Sequence, residues 1–165
     1  MAKPKRYYWD SCVWIAYINQ EMDVRGENRH AKCKAVLEKA KSGEVEIVTS
    51  AFTLAEVYKR KPTDRSGLER FPAFLEQPYV LTVPVDMLVG QRAHAMLDSG
   101  IISLKPPDAI HLVSAIRANC LEMHSFDKDI LNLHDRVPVD DQRKLRICKP
   151  GEVDNSGTLL EGLDE

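Results

Sequence analysis

Four acidic residues stand where a strand gives way to a helix or where a helix begins. They are Asp10 after "RYYW", Glu56 after "VEIVTS", Asp108 in "PPDAIHLVSAI" and Asp127 after "EMHSF". Carboxylates gathered in one small volume repel, and some must hold protons unless a cation joins them. A hard divalent cation removes the conflict, because carboxylate oxygens are the preferred ligands of Mg²⁺ and Mn²⁺. The chemistry that best uses such a site is metal-assisted phosphodiester hydrolysis. One ion activates a water, and a second, roughly 4 Å away, stabilises the leaving oxygen. No Ser, Cys or His nucleophile is required.

Each acid alone has an ordinary explanation. Asp10 is placed to cap a helix, and Glu56 has Lys59 and Arg60 at helical ion-pair spacing. Asp108 suits the positive end of its helix, and Asp127 suits a turn that bonds its own backbone. Only joint placement shifts the balance toward a metal site.

The elements that must place them alternate along the chain. "RYYWD" reads as a strand, and Val13, Trp14, Tyr17 and Ile18 give the following helix its apolar side, with Asp10 or Ser11 as cap. A second helix spans about 28–41, "VEIVTS" is a strand, and "AFTLAEVYKRK" is helical. "RFPAFLEQ" reads as a helix broken at Pro72. "YVLTVPV" is a strand whose Pro84 favours an edge position. A helix over 86–99 and the Asp108 helix follow. "LEMHSFD" is a strand, "KDILNL" a short helix and "LRICKP" a last strand. Alternating strands and helices imply an α/β fold, a three-layer α/β/α sandwich around a mostly parallel sheet. Functional groups in such folds gather at the carboxyl ends of the strands. Asp10 and Asp127 close two strands, and Glu56 and Asp108 lie in first turns facing that edge.

The 165 residues fit one domain. The reading divides the chain into a nuclease-like domain, 1–150, and an acidic tail, 151–165. The tail holds five acids and no Lys or Arg. With those removed, 23 Lys and Arg face 20 Asp and Glu, and the body carries about +3, which does not oppose a polyanionic partner. No apolar run approaches the ~20 residues of a membrane helix, and the amino-terminal residues lack a signal-peptide pattern. A cytoplasmic protein is expected. The four cysteines form no CxxC pair, which argues against a finger-type zinc site and a disulfide scaffold. The five histidines show no paired ligand spacing, and His111, three residues after Asp108, reads as a core or surface residue. No Gly-rich phosphate loop is present.

The stretches "YYWDSCVWIAYI", "TSAFTLAEVYK", "PPDAIHLVSAI" and "HSFDKDI", in that order over residues 6–148, resemble the PIN-domain ribonucleases. They are most similar to the small toxins of bacterial and archaeal toxin–antitoxin pairs. The resemblance implies Mg²⁺ or Mn²⁺ at an acidic quartet, here Asp10, Glu56, Asp108 and Asp127, and endonucleolytic cleavage of RNA. It also implies homodimers and an inhibiting antitoxin protein. Asp129 is a further metal-ligand candidate, with a helix-start acid as its ordinary reading. Ser11 matches a hydroxyl residue that often follows the first aspartate, and Ser125 stands where threonine is common. Both are placed on the substrate side. Lys59, Arg60 and Lys61 are candidate RNA-phosphate contacts, equally readable as a solvated helix end.

Two other functions compete. A PIN-fold RNA-binding or scaffold module would lack catalysis, and retention of all four acids opposes it. An aspartyl-phosphate phosphotransfer protein would use Asp10 as nucleophile. Cys12, where the haloacid-dehalogenase pattern needs an aspartate, opposes that version.

Overall fold

The computed structural model describes residues 3–23, 25–65, 67–100, 103–140 and 142–152. In chain order the elements are β1 (Lys5–Trp9), α1 (Ser11–Ile18), α2 (Arg29–Lys41), β2 (Val45–Ser50), α3 (Thr53–Glu56), α4 (Phe71–Leu75) and β3 (Val80–Val83). They continue with α5 (Met87–Asp98), α6 (Pro106–Arg117), β4 (Glu122–His124), α7 (Lys128–Leu131) and β5 (Arg146–Cys148). The strands form one sheet in the order β3-β2-β1-β4-β5, every neighbouring pair parallel. β1 therefore lies at the centre, between β2 and β4.

Alternation along the strands sends side chains to two apolar layers. Tyr8, Val48 and Met123 face α6, where Leu112 and Ala115 meet them. Trp9 and Ile47 face the other way, against Val13 and Trp14 of α1 and Val36 and Leu37 of α2. α5 packs outside α6 through Val89, Ala93, Ala109 and Val113. The result is the expected three-layer α/β/α sandwich. Its parallel sheet is buried on both faces, as βαβ crossovers require. No helix among the described residues is long and apolar enough to cross a membrane.

Several boundaries differ from the sequence reading. The helix expected over 51–61 covers only Thr53–Glu56, because Val57 leaves helical geometry (φ −94°, ψ 87°) and buries its side chain in the α1-side core. Glu56 and Lys59 or Arg60 are therefore not helical neighbours. Pro72 does not break a helix; it lies in the first turn of α4, where its missing N–H costs nothing. Pro84 follows the edge strand β3, as its chemistry demands. Residues 153–165 of the expected tail lie outside the described residues.

Candidate metal centre

Asp10 follows the central strand and caps α1: its Oδ1 accepts the Val13 N–H at 3.1 Å. The same oxygen takes the Cys12 thiol at 2.8 Å. Asp10 is only 5% exposed. Burial pushes its pKa up, and the Cys12 thiol, the nearby His111, Ser125 and the Val13 N–H offset part of the rise. Cys12 also accepts the Phe126 N–H at 3.2 Å and lies 3.4 Å from Ser125 Oγ. It thus ties the end of β1 to the end of β4. The sequence reading used Cys12 only to oppose the dehalogenase pattern, and its place two residues after Asp10 was the available signal.

Glu56 ends α3, whose start is pinned to the sheet. Thr49 Oγ1 donates to the Trp9 carbonyl at 2.9 Å, accepts Trp14 Nε1–H at 3.2 Å and contacts Thr53 Oγ1 at 3.0 Å. Glu56 Oε2 lies 2.7 Å from His111 Nε2, and His111 Nδ1 lies 2.7 Å from the Tyr8 hydroxyl. Burial, then the charge of Asp10, raises the Tyr8 pKa well above its ordinary value, so the phenol keeps its proton. Nε2 faces the Glu56 carboxylate, which can only accept, so Nδ1 of the neutral ring accepts from that phenol. Nε2 then carries the ring hydrogen and donates to Glu56. His111 is therefore a buried link between β1 and Glu56, neither a surface residue nor ordinary core. A lone histidine on an apolar face gives no sequence sign of this.

Asp108 sits in the first turn of α6, rigidly entered through Pro106 and Pro107. Its Oδ2 accepts the Lys105 N–H at a long 3.4 Å. Burial raises its pKa; the Lys105 N–H opposes this, and the charge of Asp127 adds to it. Asp127 is exposed and caps α7 by accepting the Asp129 N–H at 2.8 Å. Asp129, also exposed, shares a cavity of about 350 Å³ with Asp108.

Asp10 follows β1, Glu56 ends the helix after β2, Asp108 opens α6 and Asp127 follows β4. Glu56 bonds His111, His111 acts electrostatically on Asp10 and Asp108, and Asp127 acts on Asp108. All four offer carboxylate oxygens, and two of them are pushed toward protonation. That donor set fits a hard divalent cation. Ser125 is fully buried; its Oγ accepts the Asp127 N–H at 3.0 Å and lies beside Asp10, so it positions acids and does not face a substrate. Ser11 opens α1. No hydrogen bond or ion pair among the described residues joins Lys59, Arg60 or Lys61 to the acids.

Among the described residues, Glu122, His124 and Cys148 are the one buried group of three His, Cys or acidic side chains whose donor atoms lie within 4.8 Å of one another, and the four acids are not gathered so closely. Trp9 Nε1–H donates to His124 Nδ1 at 3.1 Å, so Nε2 carries the hydrogen and meets Glu122 Oε2 at 2.9 Å. Neither ring nitrogen keeps a lone pair for a metal. Arg146 takes the other oxygen, Glu122 Oε1, at 2.5 Å, and burial pushes the Cys148 thiol up to about 12. The group is a satisfied network fastening β4 to β1 and β5.

The profile of the PIN domain matches residues 7–136. No curated protein sequence matches significantly. Solved structures share the fold, among them the following three. VapBC2 from Rickettsia felis, bound to a promoter DNA fragment, has 15% identity and a TM-score of 0.59, covering 86% of this chain and 96% of that one. Mycobacterium tuberculosis VapC20, a sarcin-ricin loop cleaving toxin, has 20% identity and a TM-score of 0.58, covering 74% and 91%. A toxin–antitoxin complex from Klebsiella pneumoniae has 18% identity and a TM-score of 0.59, covering 89% and 99%.

Proposed function

We propose that this chain, which belongs to the PIN domain family, is a metal-dependent endoribonuclease and the toxin of a toxin–antitoxin pair. The position of Asp10, Glu56 and Asp127 after parallel strands and of Asp108 at the start of α6, with His111 between Asp10 and Glu56, supports the reading. Structural neighbours add to it: one is a toxin that cleaves the sarcin-ricin loop, and another is a toxin–antitoxin complex.

In this mechanism Asp10, Asp108 and Asp127 hold Mg²⁺ or Mn²⁺, with Asp129 beside them. The cation, when bound, lends positive charge to the scissile phosphate and lowers the pKa of the attacking water. Glu56 has Oε2 fixed by His111, which leaves Oε1 to accept a hydrogen bond from that water and orient it. Cys12, Ser125 and the Val13 N–H hold the Asp10 carboxylate in place. Ser11, Lys59, Arg60 and Lys61 lie on the RNA side. The protein works in the cytoplasm, where its four free thiols stay reduced. Its partners are a small inhibitory protein and a second copy of the chain. Leu54 and Tyr58 after β2, with Val85, Met87 and Leu88 after β3, expose the apolar surface that such contacts need.

The deciding experiment compares purified wild type with Asp10→Asn and Asp108→Asn on RNA with Mg²⁺ or Mn²⁺. Wild type cuts and the folded variants do not. Equal cutting by the variants removes these acids from the mechanism. Tight RNA binding without cutting by wild type turns the reading to a scaffold module.

A further inference from the structure

Beside Asp127 lies a second cavity, of about 420 Å³, between Met22, Glu27 and Arg29 on one side and Phe126, Lys128 and Leu131 on the other. That volume is within the ~300–1,000 Å³ usual for small-ligand pockets. Its wall carries four cations, Arg25, Arg29, Lys128 and Lys149, against two carboxylates, Asp23 and Glu27. Both carboxylates are already engaged. Glu27 takes Lys149 at 3.0 Å as well as Lys32, and Asp23 Oδ1 accepts the N–H groups of Arg25 and Glu27. Arg25 and Lys128 have no ion pair among the described residues.

Arg29 is the informative residue. Its Nε is buried and has no hydrogen-bond partner among the described residues, a state that native structures rarely leave unexplained. Its one ion pair among the described residues is with Glu21, at a loose 3.6 Å from Nη1. The guanidinium carbon lies 4.9 Å from the centre of the Phe126 ring, forming a planar cationic platform. Met22 stands nearby and is 59% exposed. Phe126 and Lys128 flank Asp127, and the Phe126 N–H is bonded to Cys12, whose thiol holds Asp10. The cavity is thus joined to the acidic cluster through two hydrogen bonds.

We propose that this cavity is a subsite for one nucleotide of a single-stranded RNA, on the flank of the acidic cluster. The base lies against the Arg29–Phe126 pair and Met22, and phosphate oxygens take the solvent-reaching edge of the Arg29 guanidinium, whose side chain is 29% exposed, and the Lys128 ammonium. Planar guanidinium and aromatic faces are how proteins hold unstacked RNA bases. The proposal rests on the nuclease reading for its substrate class.

The test is binding of a fluorescein-labelled single-stranded RNA of mixed sequence by the full chain in EDTA, with cleavage in Mn²⁺ followed in parallel. Arg29→Gln and Lys128→Gln each weaken binding about fivefold or more. Each also lowers the slope of log K against log salt by about 0.7, the share of one single-strand phosphate. Arg29→Lys keeps the slope and still binds weakly, because the planar platform is lost. Arg92→Gln, exposed on α5, changes neither. Lys128 is exposed, so its variant folds even if Arg29→Gln does not. If wild type cuts RNA while Lys128→Gln and folded Arg29→Gln bind no worse than Arg92→Gln, the subsite is wrong and the nuclease reading stands. If wild type neither binds nor cuts, both fall.

Discussion

His111 stands between Tyr8 and Glu56, 2.7 Å from each, so a buried phenol of the central strand fixes an acid on another element. Tyr8→Phe removes the hydrogen that satisfies Nδ1 and frees the ring. An unsatisfied buried acceptor costs about 1–3 kcal/mol. At a few degrees per kcal/mol for a chain of this size, thermal melting shows the loss as a drop of about 2–10 °C. Because Tyr8 acts through His111 and Glu56, kcat falls about tenfold while KM for RNA stays put. Equal kcat in both proteins would remove Tyr8 from this role.

Asp10→Asn separates stability from activity. The amide keeps an oxygen for the Val13 N–H and the Cys12 thiol but removes a charge that burial disfavours. Metal-free melting rises by about 2–4 °C, or roughly 1 kcal/mol. Cleavage falls by more than about a hundredfold, beyond the usual cost of losing a residue that only supports a ligand. Calorimetry without metal and a cleavage assay with it read the two effects.

Metal-dependent stability grows with pH. Asp10 and Asp108 have folded-state pKa values raised above the ordinary 3.8. The stabilisation that protons bring at these sites is therefore complete below about 3.8 and lost as pH rises through the folded values. A divalent cation replaces the missing protons. The rise in melting temperature on adding Mn²⁺ is small near about pH 4 and larger near about pH 7. It approaches about 2.7 kcal/mol at a hundred times Kd. A shift independent of pH would place the cation elsewhere.

Cys12 is tested by a pair of variants. Cys12→Ser keeps a donor for Asp10 Oδ1 and retains most activity; Cys12→Ala leaves that oxygen one bond short and loses about tenfold in kcat. Both remain folded by circular dichroism. Identical activity in the alanine variant would reduce Cys12 to packing.

Cys148→Ser leaves metal stoichiometry unchanged, measured by equilibrium dialysis with Zn²⁺ and Mn²⁺. The Trp9 and Glu122 hydrogen bonds already occupy both nitrogens of His124. Loss of one bound ion per chain in the variant would overturn that tautomer assignment.

The sheet and the positions of the four acids at strand ends and helix starts were legible because their signals are local. Strand endings, Pro106–Pro107 and the apolar stripe of α6 are all written in short stretches. The end of α3 was not, since Val57 abandons the helix to reach a core built by Trp9 and Trp14, distant in sequence. His111 and Cys12 escaped for the same reason. Their functions lie in partners on other strands, and a lone His or Cys carries no mark of who will meet it. Ser125 was given to the substrate side by its position, yet the close pairing of β4 with β1 buries it completely.

The strand order β3-β2-β1-β4-β5 also sets a clock. Asp10 leaves the ribosome early, but Asp127 follows more than a hundred residues later, on the strand that must dock beside it. At about 5–20 residues per second, several seconds of synthesis separate them. A nascent chain therefore carries no complete acidic cluster while most of it is being made. On the nuclease reading, translation itself withholds the proposed activity, and a message broken before its last quarter yields a product without Asp127.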